Sequence, residues 1–223
     1  AVYRWADGAA DLELVLRSRQ LWGKVAIAPG AARAVLLSYQ QSYTADLSAA
    51  RPRYDRHPAA EGFSAVRFAP DGSRLLGMTL AGELKAVDVA RGTSAVVRAG
   101  ALGDRPGGYA PSAEFAPAPG GAAVLVQLKS YNPPRVLVRH VPLDGGPIVD
   151  LRVPDWHRPA ALAYSPDGRH AVTADTEGGW VGLWEVAGGK PVGFVRAVLE
   201  DELARGGQVE FAPDGRALAV SYS

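Results

Sequence analysis

The sequence predicts an all-β protein in which one four-stranded antiparallel unit is written several times, and two observations predict it. The first is a short phrase that returns at a nearly fixed interval. It reads Val66-Arg67-Phe68-Ala69-Pro70-Asp71-Gly72, then Ala113-Glu114-Phe115-Ala116-Pro117, then Leu162-Ala163-Tyr164-Ser165-Pro166-Asp167-Gly168. It returns as Val209-Glu210-Phe211-Ala212-Pro213-Asp214-Gly215, and a weaker copy stands first, at Val25-Ala26-Ile27-Ala28-Pro29-Gly30. Measured on the residue before each Ala/Ser-Pro, the copies stand at 27, 68, 115, 164 and 211, in steps of 41, 47, 49 and 47. The second observation is that the stretches between phrases read as short strands of period two, parted by Gly-, Asp- and Pro-rich turns. A strand-rich period of about 40–50 residues is the signature of a β-propeller.

The repeat from Pro159 to Val195 shows each element. Ala161–Tyr164 is a short apolar strand, and Ser165-Pro166-Asp167-Gly168 has the composition of a tight turn, Pro presetting φ and Gly accepting a positive one. His170–Ala174 is the second strand. Trp180–Val186 alternates large and small residues as a two-faced third strand should, and Pro191–Val195 is the outer one. Phe63–Phe68, Arg74–Thr79, Glu83–Val89 and Ser94–Arg98 make a second copy. Ser112–Phe115, Ala122–Leu128, Arg135–Val141 and Ile148–Val153 make a third. The copy beginning at Val25 has a good second strand at Ala34–Tyr39, but Gln40–Gly62 is polar and loosely ordered, so this unit reads as degenerate.

At the ends, Val2–Trp5 and Asp11–Leu16 match third and fourth strands, whereas Gln208–Phe211 and Arg216–Tyr222 match a first and a second. The expectation is a single propeller domain over residues 1–223, with five blades at 25–62, 63–110, 111–156, 157–206, and 207–223 plus 1–16. The last would be shared between the termini, closing the ring, abolishing exposed sheet edges and leaving a monomer. The alternative is a partial arc of a seven- or eight-bladed ring.

The bulk composition narrows the rest. A chain of 223 residues can bury about 70% of its unfolded surface, enough for a core without staples. With no cysteine, disulfides and thiolate metal sites are excluded. The net charge of +1 comes from 24 basic and 23 acidic residues without a basic block, so nucleic acid is not an expected partner. No stretch approaches the ~20 apolar residues of a membrane span and no signal peptide is evident, so the expectation is no membrane and a cytoplasmic setting. Opening in mid-pattern without Met, the sequence reads as a piece of a longer protein or a processed one, and its Arg-, Ala-, Gly- and Pro-rich composition reads as bacterial.

At Trp180–Glu185, with the Pro-Asp-Gly turns, the chain resembles the WD40-repeat family. Val181-Gly182-Leu183-Trp184-Glu185-Val186 looks like the family's strand ending in Trp-Asp, with Glu185 in the acidic place. Thr173 sits where the family has Ser or Thr, Asp175 or Glu177 where it has a structural Asp, and His157 is a rough counterpart of its upstream His. The resemblance implies a buried His–Thr–Asp–Trp hydrogen-bond chain, present at most once.

Chemistry is sparse. Ser165, Asp167 and His170 are the nearest approach to the residue set of a hydrolase triad, but they line a blade turn and read as turn residues. The Asp-Gly pairs at 71, 167 and 214 lack the run of oxygen ligands that calcium requires. The histidines at 57, 140, 157 and 170 have no metal-ligand spacing. No catalytic residue, metal or cofactor is therefore expected. The acidic segment Val198–Arg205 reads as a solvated helical turn. What remains is the loop face where first strands begin and second and third strands join, which carries Arg17, Trp22, Tyr43, Arg105, Tyr109, Tyr131, Trp156, His157, Arg158 and Trp180. Aromatics with Arg are what interface hot spots are made of. The expected function is a non-catalytic scaffold for protein–protein contacts with a partner of unknown identity. The alternatives are a carbohydrate-binding five-bladed propeller and a propeller docking on a fused enzyme domain.

Overall fold

The computed structural model describes residues 2–4, 13–16, 24–37, 41–49, 54–79, 81–99, 109–131, 134–175, 179–197 and 207–222. β1 (Val2–Arg4) and β2 (Glu13–Leu16) pair as a two-stranded antiparallel sheet. Four antiparallel meanders follow. The first is β3 (Lys24–Ile27), β4 (Arg33–Leu37), β5 (Ser42–Asp46) and β6 (Tyr54–Arg56). The second is β7 (Phe63–Phe68), β8 (Leu75–Thr79), β9 (Leu84–Asp88) and β10 (Thr93–Arg98). The third is β11 (Tyr109–Pro117), β12 (Ala123–Tyr131), β13 (Pro134–Pro142) and β14 (Val149–Leu151). The fourth is β15 (Pro159–Tyr164), β16 (His170–Asp175), β17 (Trp180–Glu185) and β18 (Lys190–Arg196). β19 (Gly207–Phe211) and β20 (Leu218–Tyr222) form a second two-stranded sheet. One-turn 3-10 segments at Pro29–Ala31 and Pro58–Ala60 complete the described elements.

The first strand of each sheet packs on the first strand of the next: β3 on β7, β7 on β11, β11 on β15 and β15 on β19. This is the blade arrangement of a β-propeller, and it puts the core between blades. Val35, Leu37, Val66, Phe68 and Leu75 join the first and second blades. Leu76, Met78, Phe115, Val124 and Val126 join the second and third. Leu125, Val138, Tyr164, Ala171 and Trp184 join the third and fourth, and Ala161, Val172 and Val209 tie in β19. Each such side chain contributes roughly 1.5–3 kcal/mol by leaving water, so the second, third and fourth blades are each stabilised from both sides. The outer strands β10 and β18 are largely exposed. Lys190 and Pro191 open β18, residues that discourage edge-to-edge pairing.

The turn phrases fold as their chemistry dictates. Asp71, Asp167 and Asp214 each accept the backbone N–H two residues on, at 3.0, 3.0 and 2.9 Å. The glycine after each stands at φ +67, +70 and +71°. These pairs are Asx turns rather than cation loops.

The third blade departs from the sequence expectation. Its turn is closed by Gly121 N–H donating to Ala118 O at 2.8 Å, the bond that Gly72 makes to Ala69, Gly168 to Ser165 and Gly215 to Ala212. The structural counterpart of Ala69-Pro70 is thus Ala118-Pro119, not Ala116-Pro117, and Pro117 takes the place of Phe68. The steps become 41, 49, 47 and 47, on residues 27, 68, 117, 164 and 211. A slip of two keeps every side chain on its face, so Phe115 is still buried against the second blade.

The first blade, expected to be degenerate over Gln40–Gly62, has its full complement of strands. β5 and β6 pair over Tyr43–Ala45, and Ser42 Oγ donates to the His57 carbonyl. At the ends, β1–β2 and β19–β20 stand as two separate sheets, with no ladder between them among the described residues. The segment Val198–Arg205 lies outside the described residues.

Candidate interaction face and central channel

Where β15 begins, four buried side chains form one polar chain. Trp184 Nε1–H donates to Thr173 Oγ1 at 3.0 Å, and Thr173 Oγ1 lies 2.7 Å from His157 Nε2. His157 Nδ1 lies 3.4 Å from Asp175 Oδ2, and Trp180 N–H donates to Asp175 Oδ1 at 3.3 Å. One proton arrangement suits these contacts, with His157 Nδ1 too far from the carboxylate for a hydrogen bond. The indole N–H points to Thr173, the Thr173 hydroxyl to Nε2, and the Nδ1 proton towards the carboxylate. The register of the sheet makes this possible, because Thr173 faces Leu162 in β15 and Gly182 in β17. Gly182 leaves the room, since a Cβ there would lie 2.9 Å from Phe194 and 3.1 Å from Thr173 Oγ1.

Burial pushes the His157 pKa down, while Asp175 pulls it up; burial alone pushes His140 down. Both imidazoles thus bind protons less readily folded than unfolded, where the value is about 6.5. Their contribution to stability is complete above that value and is lost as pH falls through it. The melting temperature should therefore drop between pH 7.5 and 5, above the range where carboxylates titrate. A flat profile over that interval would contradict neutral, buried histidines.

Above this chain stands Trp156, 53% exposed. Its ring meets Phe194, Trp180 and His157 edge-on, at centroid distances of 4.9, 5.4 and 5.6 Å. Trp180 beside it is half-buried, as is Arg158, two residues along the chain. Of the predicted surface residues, the structure thus brings together Trp156 and Trp180. His157 is placed differently: it is buried as the centre of the hydrogen-bond chain and is not offered to a partner. Tyr43, half-buried in β5, donates its hydroxyl to Gln41. Tyr109 and Tyr131 occupy one end of the β11–β12 ladder, where Tyr109 faces Ser130. Arg17, Trp22, Arg105 and Glu177 lie outside the described residues. Thr173, Asp175 and Trp184 lie in the buried polar chain, whereas Glu185 is exposed at the other end of β17.

Ser165, Asp167 and His170 form a turn. Ser165 Oγ donates to Asp167 Oδ1 at 2.6 Å and accepts the backbone N–H of His170 at 2.9 Å. These bonds occupy the hydroxyl on its own backbone, with the His170 main chain and not its ring as partner.

A feature that sequence reasoning missed is the cavity of about 470 Å³ inside the inner strands, lined by Arg67, Glu114, Leu162, Gln208 and Glu210 among others. Arg67 Nη2 lies 3.2 Å from Glu114 Oε2 across the β7–β11 boundary. The two residues are 47 apart in sequence, which no local pattern could pair. The channel is of mixed charge, and its carboxylate in β11 is engaged by a guanidinium.

No protein-family model matches the chain, and no curated protein sequence does. Solved structures do. A TolB-like protein of Agrobacterium tumefaciens superposes with a TM-score of 0.68 at 16% identity, over 92% of this chain and 71% of that one. The β-propeller domain of Cps50 (Swd1) from Myceliophteria thermophila gives 0.65 at 15% identity, over 93% and 68%. Hydrazine synthase of Kuenenia stuttgartiensis gives 0.66 at 18% identity, over 98% and 59%. At such identities the likeness is one of fold. The chain spans between 59% and 71% of the length of these neighbours. Among the described residues, no helix is long and apolar enough to cross a membrane.

Proposed function

We propose that the protein is a non-catalytic β-propeller of WD40-repeat type that holds a protein partner on the loop face of its fourth blade, as a module of a larger bacterial protein. The observation that carries this is Trp156: a large aromatic ring, more than half exposed, held by edge-to-face contacts on a buried and hydrogen-bonded base. A ring fixed in this way loses little conformational entropy when a partner covers it, and Trp is the residue type hot spots favour. The WD40 subtype is supported by the His157–Thr173–Trp184–Asp175 chain in the fourth blade. In the second blade Gly77 stands in the register place of Thr173, and a Cβ there would lie 2.5 Å from the Phe63 ring. That blade fills the same space with an apolar ring.

The test is affinity capture from cells of the source organism with the wild-type chain, Trp156→Ala, and Val96→Ser as a control on the exposed outer strand of the second blade. A partner held by the wild type and the control should lose about 30-fold in affinity with Trp156→Ala, the roughly 2 kcal/mol of a hot-spot residue. Unchanged capture by Trp156→Ala would exclude this face. The Trp156–Trp180 pair, exposed at Trp156, also suits a sugar ring, so binding on a glycan array that disappears with Trp156→Ala would favour the carbohydrate reading instead.

A further inference from the structure

At the far end of β15 from Trp156, a cavity of about 490 Å³ opens between the third and fourth blades. One wall is His140 of β13; the other is made by two turns of the fourth blade, which bring Arg169, His170 and Glu185 to the rim with Val186 and Ala187 beneath them. His170 and Glu185 are direct cross-strand partners in the β16–β17 ladder and so project from one face.

His140 is held in a defined state. Its Nδ1 lies 2.7 Å from Tyr164 Oη, and the two rings meet edge-on. Tyr164 is buried, and burial pushes its phenol upward, so the hydroxyl keeps its proton. If Nδ1 donated to Oη, the buried hydroxyl proton would need a second acceptor. If Oη donates to Nδ1, both groups are satisfied. The imidazole proton then resides on Nε2, leaving a fixed donor on the ring that lines the cavity.

Arg169 and Glu185 line the same cavity and form no ion pair with each other. The Glu185 carboxylate lies over the Gly188 turn, with the stem of its cross-strand partner Lys190 alongside. Asp167 attracts Arg169 only at longer range. Opposite charges facing one space without meeting in it call for a ligand with both signs. An anion alone would meet Glu185, and a cation alone would meet Arg169.

We propose that this inter-blade cavity binds a small zwitterion, a molecule of amino-acid or dipeptide type. Its carboxylate lies on Arg169 and His140 Nε2–H, its ammonium group on Glu185, and its apolar part on Val186 and Ala187. The site is independent of the Trp156 face, and either can fail without the other.

Calorimetric titration of the whole chain tests it with three probes. Leucylglycine carries both charges, N-acetyl-leucylglycine only the negative one, and leucylglycinamide only the positive one. Leucylglycine should bind about tenfold more tightly than either control, the effect of one charge-assisted hydrogen bond. Arg169→Gln and Glu185→Gln, both exposed and expected to melt as the wild type does, should each remove that advantage. Three results would overturn the assignment: no heat with leucylglycine, equal binding of the acetylated or amidated form, or full binding by both variants.

Discussion

Trp184→Ala is expected to destabilise the protein by about 3–5 kcal/mol, the usual range for deleting a fully buried aromatic side chain. Trp184 has no solvent exposure and joins the third and fourth blades. Its removal opens a cavity between them and takes from Thr173 the indole donor of the hydrogen-bond chain. Urea denaturation of Trp184→Ala and Trp184→Phe separates the two contributions. The phenyl ring retains much of the packing but has no N–H, so it should recover most of the loss and leave about 1 kcal/mol for the hydrogen bond. A Trp184→Ala variant within 1 kcal/mol of wild type would mean that the fourth blade does not depend on this seam.

Gly189→Ala should be nearly as damaging, by a different route. Gly189 sits at φ +61°, and a Cβ there would lie 2.1 Å from the carbonyl oxygen of Asp150 on the neighbouring blade. The Gly189 carbonyl accepts the Arg152 N–H at 2.8 Å, so the contact is a backbone stitch between blades and cannot give without breaking. Strain in the left-handed region and loss of the stitch together come to about 3 kcal/mol, or some 6–12 °C in melting temperature for a chain of this size. Gly30→Ala and Gly92→Ala provide the control. Both have positive φ but nothing within 4 Å of the added methyl, so they report backbone strain alone, about 1 kcal/mol. Equal losses in all three variants would show that the inter-blade contact contributes nothing.

The parts of this fold that could be read in sequence are those set by local sterics. Pro-Asp-Gly closes a turn whatever surrounds it, so the turns at 71, 167 and 214 and the meanders between them follow from the residues alone. The third blade shows where this fails. Ala116-Pro117-Ala118-Pro119 offers the same dipeptide twice in four residues, and only the hydrogen bond closed by Gly121 decides between them. Thr173, Asp175 and Trp184 stood out only through the resemblance to the WD40 strand pattern. His157 lies in a polar Trp-His-Arg loop, where neighbouring residues do not tell whether an imidazole turns inward. Its partner Thr173 is 16 residues away. The Arg67–Glu114 pair and the His140–Tyr164 pair join different blades, and contacts between blades leave no periodic trace in the chain.

The two-residue slip in the third blade amounts to a parity rule for this architecture. Along an inner strand, what matters is whether the count from the strand's start to its turn is odd or even, not the count itself. A shift of two leaves the inside-outside pattern intact, as the move of the turn from Ala116-Pro117 to Ala118-Pro119 does. A single residue added at the same place would turn Phe115 from the second blade towards the fourth and exchange every neighbour along the strand. The length of a repeat in this chain is therefore free to drift by twos, and the period of the sequence is looser than the period of the structure.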